Sequence, residues 1–201
     1  MKLTGTPAQL KLFAAFSDLL GQMPITRISI THLVNAAGVN RSTFYLYYVD
    51  LPAFIKDLED RLLTHIEEGA DERLQSAIKA TIVSPDPQSV YPVFLDLTQS
   101  IADNFELFKE LTAEDGDHRF ADKLQLTLTE ILFSNLEEDL ENKTFFEDIP
   151  ADYAMPIFFS SILTIILHWL HKKKPESAQE VAKLITKSRY VAPYKLFRKG
   201  E

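Results

Sequence analysis

The chain of 201 residues contains no cysteine, which excludes a disulfide framework and any thiolate metal site, and nothing in it calls for an oxidising compartment. Glycine is scarce, at six residues, and alternating apolar and polar runs are few. Apolar residues instead recur three or four apart, so the expected fold is all-α. A run long enough to cross a bilayer is also missing. The most apolar stretch, Met155 to Leu170, is interrupted by Pro156, Ser160, Ser161, Thr164 and His168, whereas a spanning helix needs about 20 mainly apolar residues. It reads as a buried helix, and no membrane partner is expected. Met1 to Leu12 lacks the apolar core of a signal peptide, so the expected setting is cytoplasmic.

Basic charge is in short supply too. The formal net charge of −8 excludes a chain coated in basic surface, but the balance is uneven. Residues 1–55 carry Lys2, Lys11, Arg27 and Arg41 against Asp18 and Asp50, a net +2 that leaves −10 for the remainder. Any nucleic-acid surface is therefore expected at the N-terminus. Catalytic signatures are absent as well: no Ser/His/Asp order, phosphate-cradling glycine loop or paired-carboxylate motif stands out, so an enzyme is not expected.

About nine helices are expected. The first runs from about Pro7 to Gln22, with Leu10, Phe13, Ala14 and Leu20 on one side and Pro7 suited to its first turn. Ser29 is placed to cap a second helix reaching about Ala36, and Asn40 a third reaching about Tyr47. Asp50 and Pro52 open a long fourth helix that keeps Phe54, Ile55, Leu58, Leu62 and Ile66 in helical register. Pro85, Asp86 and Pro87 break the pattern, and further helices are expected at about 88–103, 105–113, 118–142, 152–172 and 176–190.

The segment Ile28 to Tyr48 carries the most information. Its spacing describes two short helices about a turn, with Gly38 where a tight interhelical turn needs positive φ. Leu33, Ala37, Val39 and Phe44 then face inward, and Asn40, Arg41, Ser42, Thr43, Tyr45 and Tyr47 face out. That outer face suits DNA, because arginine can grip guanine, asparagine can pair with adenine, and hydroxyls can bond bases or phosphates. The helix N-terminus adds backbone N–H groups that favour phosphate.

The run Ala-Ala-Gly-Val-Asn-Arg-Ser-Thr-Phe-Tyr-Leu-Tyr-Tyr, followed closely by Asp50 and a leucine-rich helix, resembles the signature of the TetR family of transcription regulators over about residues 7–62. The resemblance implies a homodimer whose recognition helices enter successive major grooves of a pseudo-palindromic double-stranded DNA site. It assigns base and phosphate contacts to Asn40, Arg41, Ser42, Thr43, Tyr45 and Tyr47, backbone anchoring to Ser29 and Thr31, and a core place to Tyr48. Two residues depart from the family pattern: Leu51 stands where a lysine is usual, and Val34 where a small alanine is usual. The first removes one phosphate contact, which should lower the salt slope by roughly 1 unit.

The implied architecture is a three-helix helix-turn-helix domain over 1–50 followed by a helical effector-binding and dimerisation domain over 51–201. Aromatic and leucine spacing around Tyr91 to Leu111 and Phe158 to Val181 is similar to the branch related to the dihydroxyacetone-kinase operon activator, some of whose members work through a protein co-inducer. An unknown small-molecule effector or a protein co-inducer is thus the expected controlling partner. Phe94, Phe105, Phe108 and Phe133 are candidates to line a ligand cavity, although such stripes more often make packed core. Phe158, Ile162, Ile165, Ile166 and Trp169, with Val181, Leu184 and Ile185, are candidates for an isologous dimer seam. The five histidines form no ligand cluster of recognised spacing; His168 and His171 share a helix face, but no metal or other cofactor is expected. The alternative to a DNA-binding regulator is a protein-interaction adaptor that keeps the same fold and acts mainly through a protein partner.

Overall fold

The computed structural model describes residues 3–71, 90–114, 116–134 and 151–188. Among them stand nine α-helices and no strand: α1 Pro7–Leu20, α2 Ile30–Ala37, α3 Arg41–Tyr47, α4 Leu51–Asp71, α5 Pro92–Ala102, α6 Phe105–Leu111, α7 His118–Ser134, α8 Ala151–Leu170 and α9 Ala178–Ser188. A single 3-10 turn, Ile25–Arg27, which the sequence did not announce, joins α1 to α2. The Pro85-Asp86-Pro87 break, and residues 88–89, 135–142 and 189–190 of the expected helices, lie outside the described residues. No described helix is long and apolar enough to cross a membrane. The chain divides into two compact units, Met1–Glu68 with Ser100–Thr127, and Gly69–Gln99 with Leu128–Glu201.

In the first unit, α1 starts in a capping box: the Gln9 backbone N–H donates to the Thr6 hydroxyl at 3.3 Å, and the Thr6 N–H donates to Gln9 Oε1 at 3.1 Å. Its buried stripe runs through Gln9, Leu12, Phe13, Ala15, Phe16, Leu19 and Leu20. This corrects the expected face, since Ala14 is exposed and Leu10 only half-buried. The large rings of Phe13 and Phe16 set the rotation of the helix, because both reach Phe54 of α4 at centroid separations of 5.6 and 5.3 Å. Phe54, Leu58, Leu62 and Ile66 are all buried, so the apolar face expected of α4 forms. Asp50 caps that helix through Oδ1, which accepts the Ala53 N–H at 2.8 Å.

The turn into α7 belongs to the same unit. The Asp117 carboxylate accepts the Arg119 backbone N–H at 2.9 Å, and Phe120 behind it meets Phe108 of α6 at 5.7 Å. Burial alone would raise the Asp117 carboxyl, but hydrogen bonds from Arg119 and the charges of Arg119 and Lys123 hold it below its usual range. Gly116 allows this turn to close: a Cβ there would lie 2.5 Å from the carbonyl oxygens of both Glu110 and Leu111. One turn along α7, Lys123 donates to Glu59 of α4 at 2.6 Å. Glu59 is only 1% exposed, and its second oxygen has no protein partner. Burial pushes its carboxyl above the usual carboxylate range, against the opposing pull of Lys123.

In the second unit, α5 runs antiparallel to α9. The Tyr91 N–H donates to the Thr186 hydroxyl at 3.3 Å, and the Thr98 hydroxyl donates to the Ala178 carbonyl at 3.0 Å. The corner between α8 and α9 is clasped by the Trp169 indole, whose Nε1–H donates to the Glu176 carbonyl at 2.8 Å, and by a Lys172–Glu176 ion pair. Ser177 and Glu180 then form a capping box for α9, with the Ser177 N–H donating to Glu180 Oε2 at 2.9 Å.

Two substitutions test this packing. Gly116→Ala should lower unfolding free energy by about 1–3 kcal/mol in urea titrations, since the only relief is movement of backbone. Glu59→Gln should change how stability depends on pH. A carboxyl raised on folding holds its proton more tightly in the native state, so the native chain loses stability as pH rises from the ordinary glutamate value, 4.5, through the raised one. The stability of Glu59→Gln relative to the native chain should therefore increase across that window, and a constant difference would contradict the assignment.

Candidate nucleic-acid interface

Helix α2 begins at Ser29, whose hydroxyl accepts the His32 N–H at 3.2 Å, as its sequence position predicts. It ends at Gly38, with φ 62° and ψ 37°. The Gly38 N–H donates to Asn35 O at 3.2 Å and the Val39 N–H to Val34 O at 3.1 Å, the paired bonds of a Schellman ending. Leu33 and Val34 are buried, while Ala37 and Val39, expected inside, are half-buried. The inward turn of α2 is thus carried by Leu33 with Val34. Sequence spacing passed over Val34, which was visible only as a departure from the family pattern.

Helix α3 has seven residues, and Phe44 alone is buried. Asn40 precedes it with extended backbone but makes no side-chain cap, contrary to expectation. Its amide is thus left on the exposed surface. Arg41, Ser42, Tyr45 and Tyr47 are exposed and Thr43 is half-buried; Tyr45 is 47% and Tyr47 37% exposed. Arg41 lies over the Tyr45 ring at 5.7 Å and donates to its hydroxyl at 3.2 Å, holding the arginine along the helix face. Ser29 and Thr31 are exposed at the start of α2. The unpredicted feature is Leu46, at 76% exposure.

What holds this face outward is a polar chain that sequence reading did not find. The buried Gln9 amide of α1 donates to the Tyr48 hydroxyl at 3.0 Å, and that hydroxyl donates to Asp57 of α4 at 2.7 Å. Arg61 donates to the same Asp57 oxygen at 2.9 Å and to the Thr4 carbonyl at 2.7 Å. Burial, followed by donation to Asp57, pushes the Tyr48 phenol well above its ordinary pKa, so it stays protonated and a donor. The Tyr48 ring also sits edge-on to Phe54 at 5.2 Å and 5.5 Å from Phe44. The i,i+4 spacing of Asp57 and Arg61 was the one available signal of this chain.

A shallow cavity of about 440 Å³ lies in the same unit, lined by Ile25, Thr26, Ile55, Gly116, Asp117 and Arg119. None of the four pocket phenylalanines lines it. Phe105 is half-buried and Phe108 fully buried in the first unit, Phe94 is buried beside Tyr91 in the second, and the Phe133 side chain lies outside the described residues. Of the seam candidates, Ile162, Ile166, Trp169, Val181 and Ile185 are buried within the chain, whereas Phe158 and Ile165 are half-buried and Leu184 is exposed. No group of three or more His, Asp or Glu among the described residues is arranged to hold a metal ion.

Comparison with known proteins adds three findings. Residues 88–189 match a family model described as a TetR transcriptional regulator C-terminal region. A segment of 73 residues, 36% of this chain, is 33% identical to the HTH-type transcriptional regulator EthR of Mycobacterium tuberculosis; the match spans 32% of that protein, about a third of its length. Two solved structures share the fold at 14% identity. The fatty acid degradation regulator FadR from Bacillus halodurans has a TM-score of 0.64, with 92% of this chain and 95% of that one covered. The dihydroxyacetone kinase operon activator DhaS has a TM-score of 0.61, with 97% and 100% covered.

Tyr48→Phe removes the hydroxyl that joins Gln9 to Asp57 and keeps the ring. The buried Gln9 amide then loses its acceptor while Asp57 keeps Arg61, which should cost about 1–3 kcal/mol of stability, measured by denaturant titration. Tyr47→Phe, at an exposed hydroxyl, should cost less than about 0.5 kcal/mol in the same measurement.

Proposed function

The chain belongs to the TetR family of transcriptional regulators, and from that premise we propose that it binds a pseudo-palindromic double-stranded DNA site as a homodimer under the control of an effector. The observation that carries this reading is α3 itself. It is a short helix with one buried anchor, Phe44, and an otherwise outward face bearing Arg41, Ser42, Tyr45 and Tyr47. Arginine and hydroxyl donors on a helix narrow enough for the major groove are the chemistry of base and phosphate recognition. Ser29 and Thr31 would anchor α2 on the sugar-phosphate backbone, with Asn40 and Thr43 at the edges of the reading face.

In this reading residues 1–50 read DNA, while 51–201 dimerise and take the effector, a small molecule or a protein co-inducer. Binding of the effector would favour one arrangement of the dimer, and with it one spacing of the two recognition helices. The exposed apolar side chains Ile157 and Leu184, with the half-buried Phe158 and Ile165, are the part of α8 and α9 left for a second copy to cover. Membership of the activator branch belongs to this proposal as well.

A second reading, an adaptor acting mainly through a protein partner, draws on Leu51. This half-buried apolar residue opens α4 where the family pattern has a cation for phosphate.

Titration of the full chain against its own promoter region and against random duplex over a range of salt separates the two readings. The regulator should prefer the promoter region, and Arg41→Ala or Tyr45→Ala should weaken that binding by about 1–3 kcal/mol without loss of fold. Leu51→Lys should steepen the dependence of log affinity on log salt by about 1 unit per protomer. Absence of any salt-sensitive preference, with or without cell extract, would favour the adaptor.

A further inference from the structure

The outward face of α3 has an apolar centre that no recognition chemistry described so far uses. Taking the fully buried Phe44 as the inward direction, a helix turns about 100° per residue. Ser42 and Leu46, two residues to either side, therefore project about 200° round from it, more directly away from the support than any other α3 residue. Exposure agrees: Leu46 is the most exposed of the large apolar side chains on this helix, at 76%, against 47% for Tyr45 and 37% for Tyr47. By the same rule Thr43 and Tyr45 stand at the shoulders, about 100° round, and Arg41 is already engaged with Tyr45.

We infer that Leu46 is a base-reading side chain that takes the 5-methyl group of a thymine in the major groove, with Ser42 one turn earlier on the same line. This rests on the proposed DNA-binding role and names the chemistry at its centre. The major groove presents one apolar feature, the thymine methyl, and a leucine directed straight into the groove matches it where a hydroxyl or guanidinium would not. Ser42 and Leu46 are about 6 Å apart along the helix axis, close to two base-pair steps, so hydroxyl and methyl readout fall about two base pairs apart. Leu46 makes no contribution to the buried core, so its identity is free to serve the ligand.

The test uses the full chain and duplexes selected from a random pool by the native protein. Each thymine of the selected site is replaced in turn by deoxyuridine, which removes only the methyl group, and affinity is read by fluorescence anisotropy for the native chain and for Leu46→Ala. At one position or more per half-site, uracil should weaken native binding about fourfold, and Leu46→Ala should bind thymine and uracil duplexes equally there. Native binding indifferent to uracil throughout, or Leu46→Ala keeping the full native discrimination, would overturn the inference while leaving DNA binding intact. Failure of the pool to yield any preferred duplex would instead overturn the DNA-binding reading, and this inference with it. Because Leu46 is exposed, its truncation leaves the fold as a constant, which a matching thermal midpoint confirms.

Discussion

The hydrogen bond from the Tyr48 hydroxyl to Asp57 fastens the end of α3 to α4. Tyr48 is the residue on which α3 ends, and Asp57 lies in the second turn of α4, so this contact ties the helix that faces outward to the helix that supports it. Gln9 completes the phenol from α1, and Arg61 completes the carboxylate while reaching back to the backbone ahead of α1. Every member has a partner, and the chain runs from a buried bond at Gln9 and Tyr48 to an exposed one at Arg61 and Thr4. Around it Phe13, Phe16, Phe44 and Tyr48 all meet Phe54, and their rings fix the rotation of each helix about its own axis.

This arrangement relieves α3 of structural duty. One residue in seven holds the helix down, and the other contacts that position it come from the residue just past its end. Much of its face is thereby free of core packing: Ser42 and Leu46 are exposed, while Tyr45 meets Phe44 edge-on at 5.5 Å and accepts from Arg41. The same division recurs along α8 and α9. Ile162, Ile166, Trp169, Val181 and Ile185 supply the core, while Ile157 and Leu184 carry apolar surface out of it. In both places the side chains that face outward are not those that hold the helix in the core.

Local rules made much of this readable. The cap at Ser29, the cap at Asp50, the left-handed Gly38 and the apolar register of α4 each depend on residues within a turn or two of one another, and each appears as its spacing predicts. Asn40 shows where such rules stop: its type suits a cap, but α3 starts without using its side chain. The stripe of α1 was misread because Leu10 and Ala14 satisfy helical periodicity as well as Leu12 and Phe16 do. Only the presence of Phe54 selects between them. The close approach at Gly116 and the pairing of the buried Glu59 with Lys123 were equally invisible, since their partners lie elsewhere along the chain or in a turn whose path no motif marks.

The sequence by itself determined the all-helical class, the helix-turn-helix and most of the outward residues of its second helix, because periodicity, caps and a glycine of special φ are properties of neighbouring residues. Only the tertiary structure decided that Tyr48, Gln9, Asp57 and Arg61 form one polar chain, and that Leu46 stands at the middle of the exposed face. Those facts depend on which way each helix is rotated and on what it packs against, and rotation is set by contacts between residues far apart in the chain.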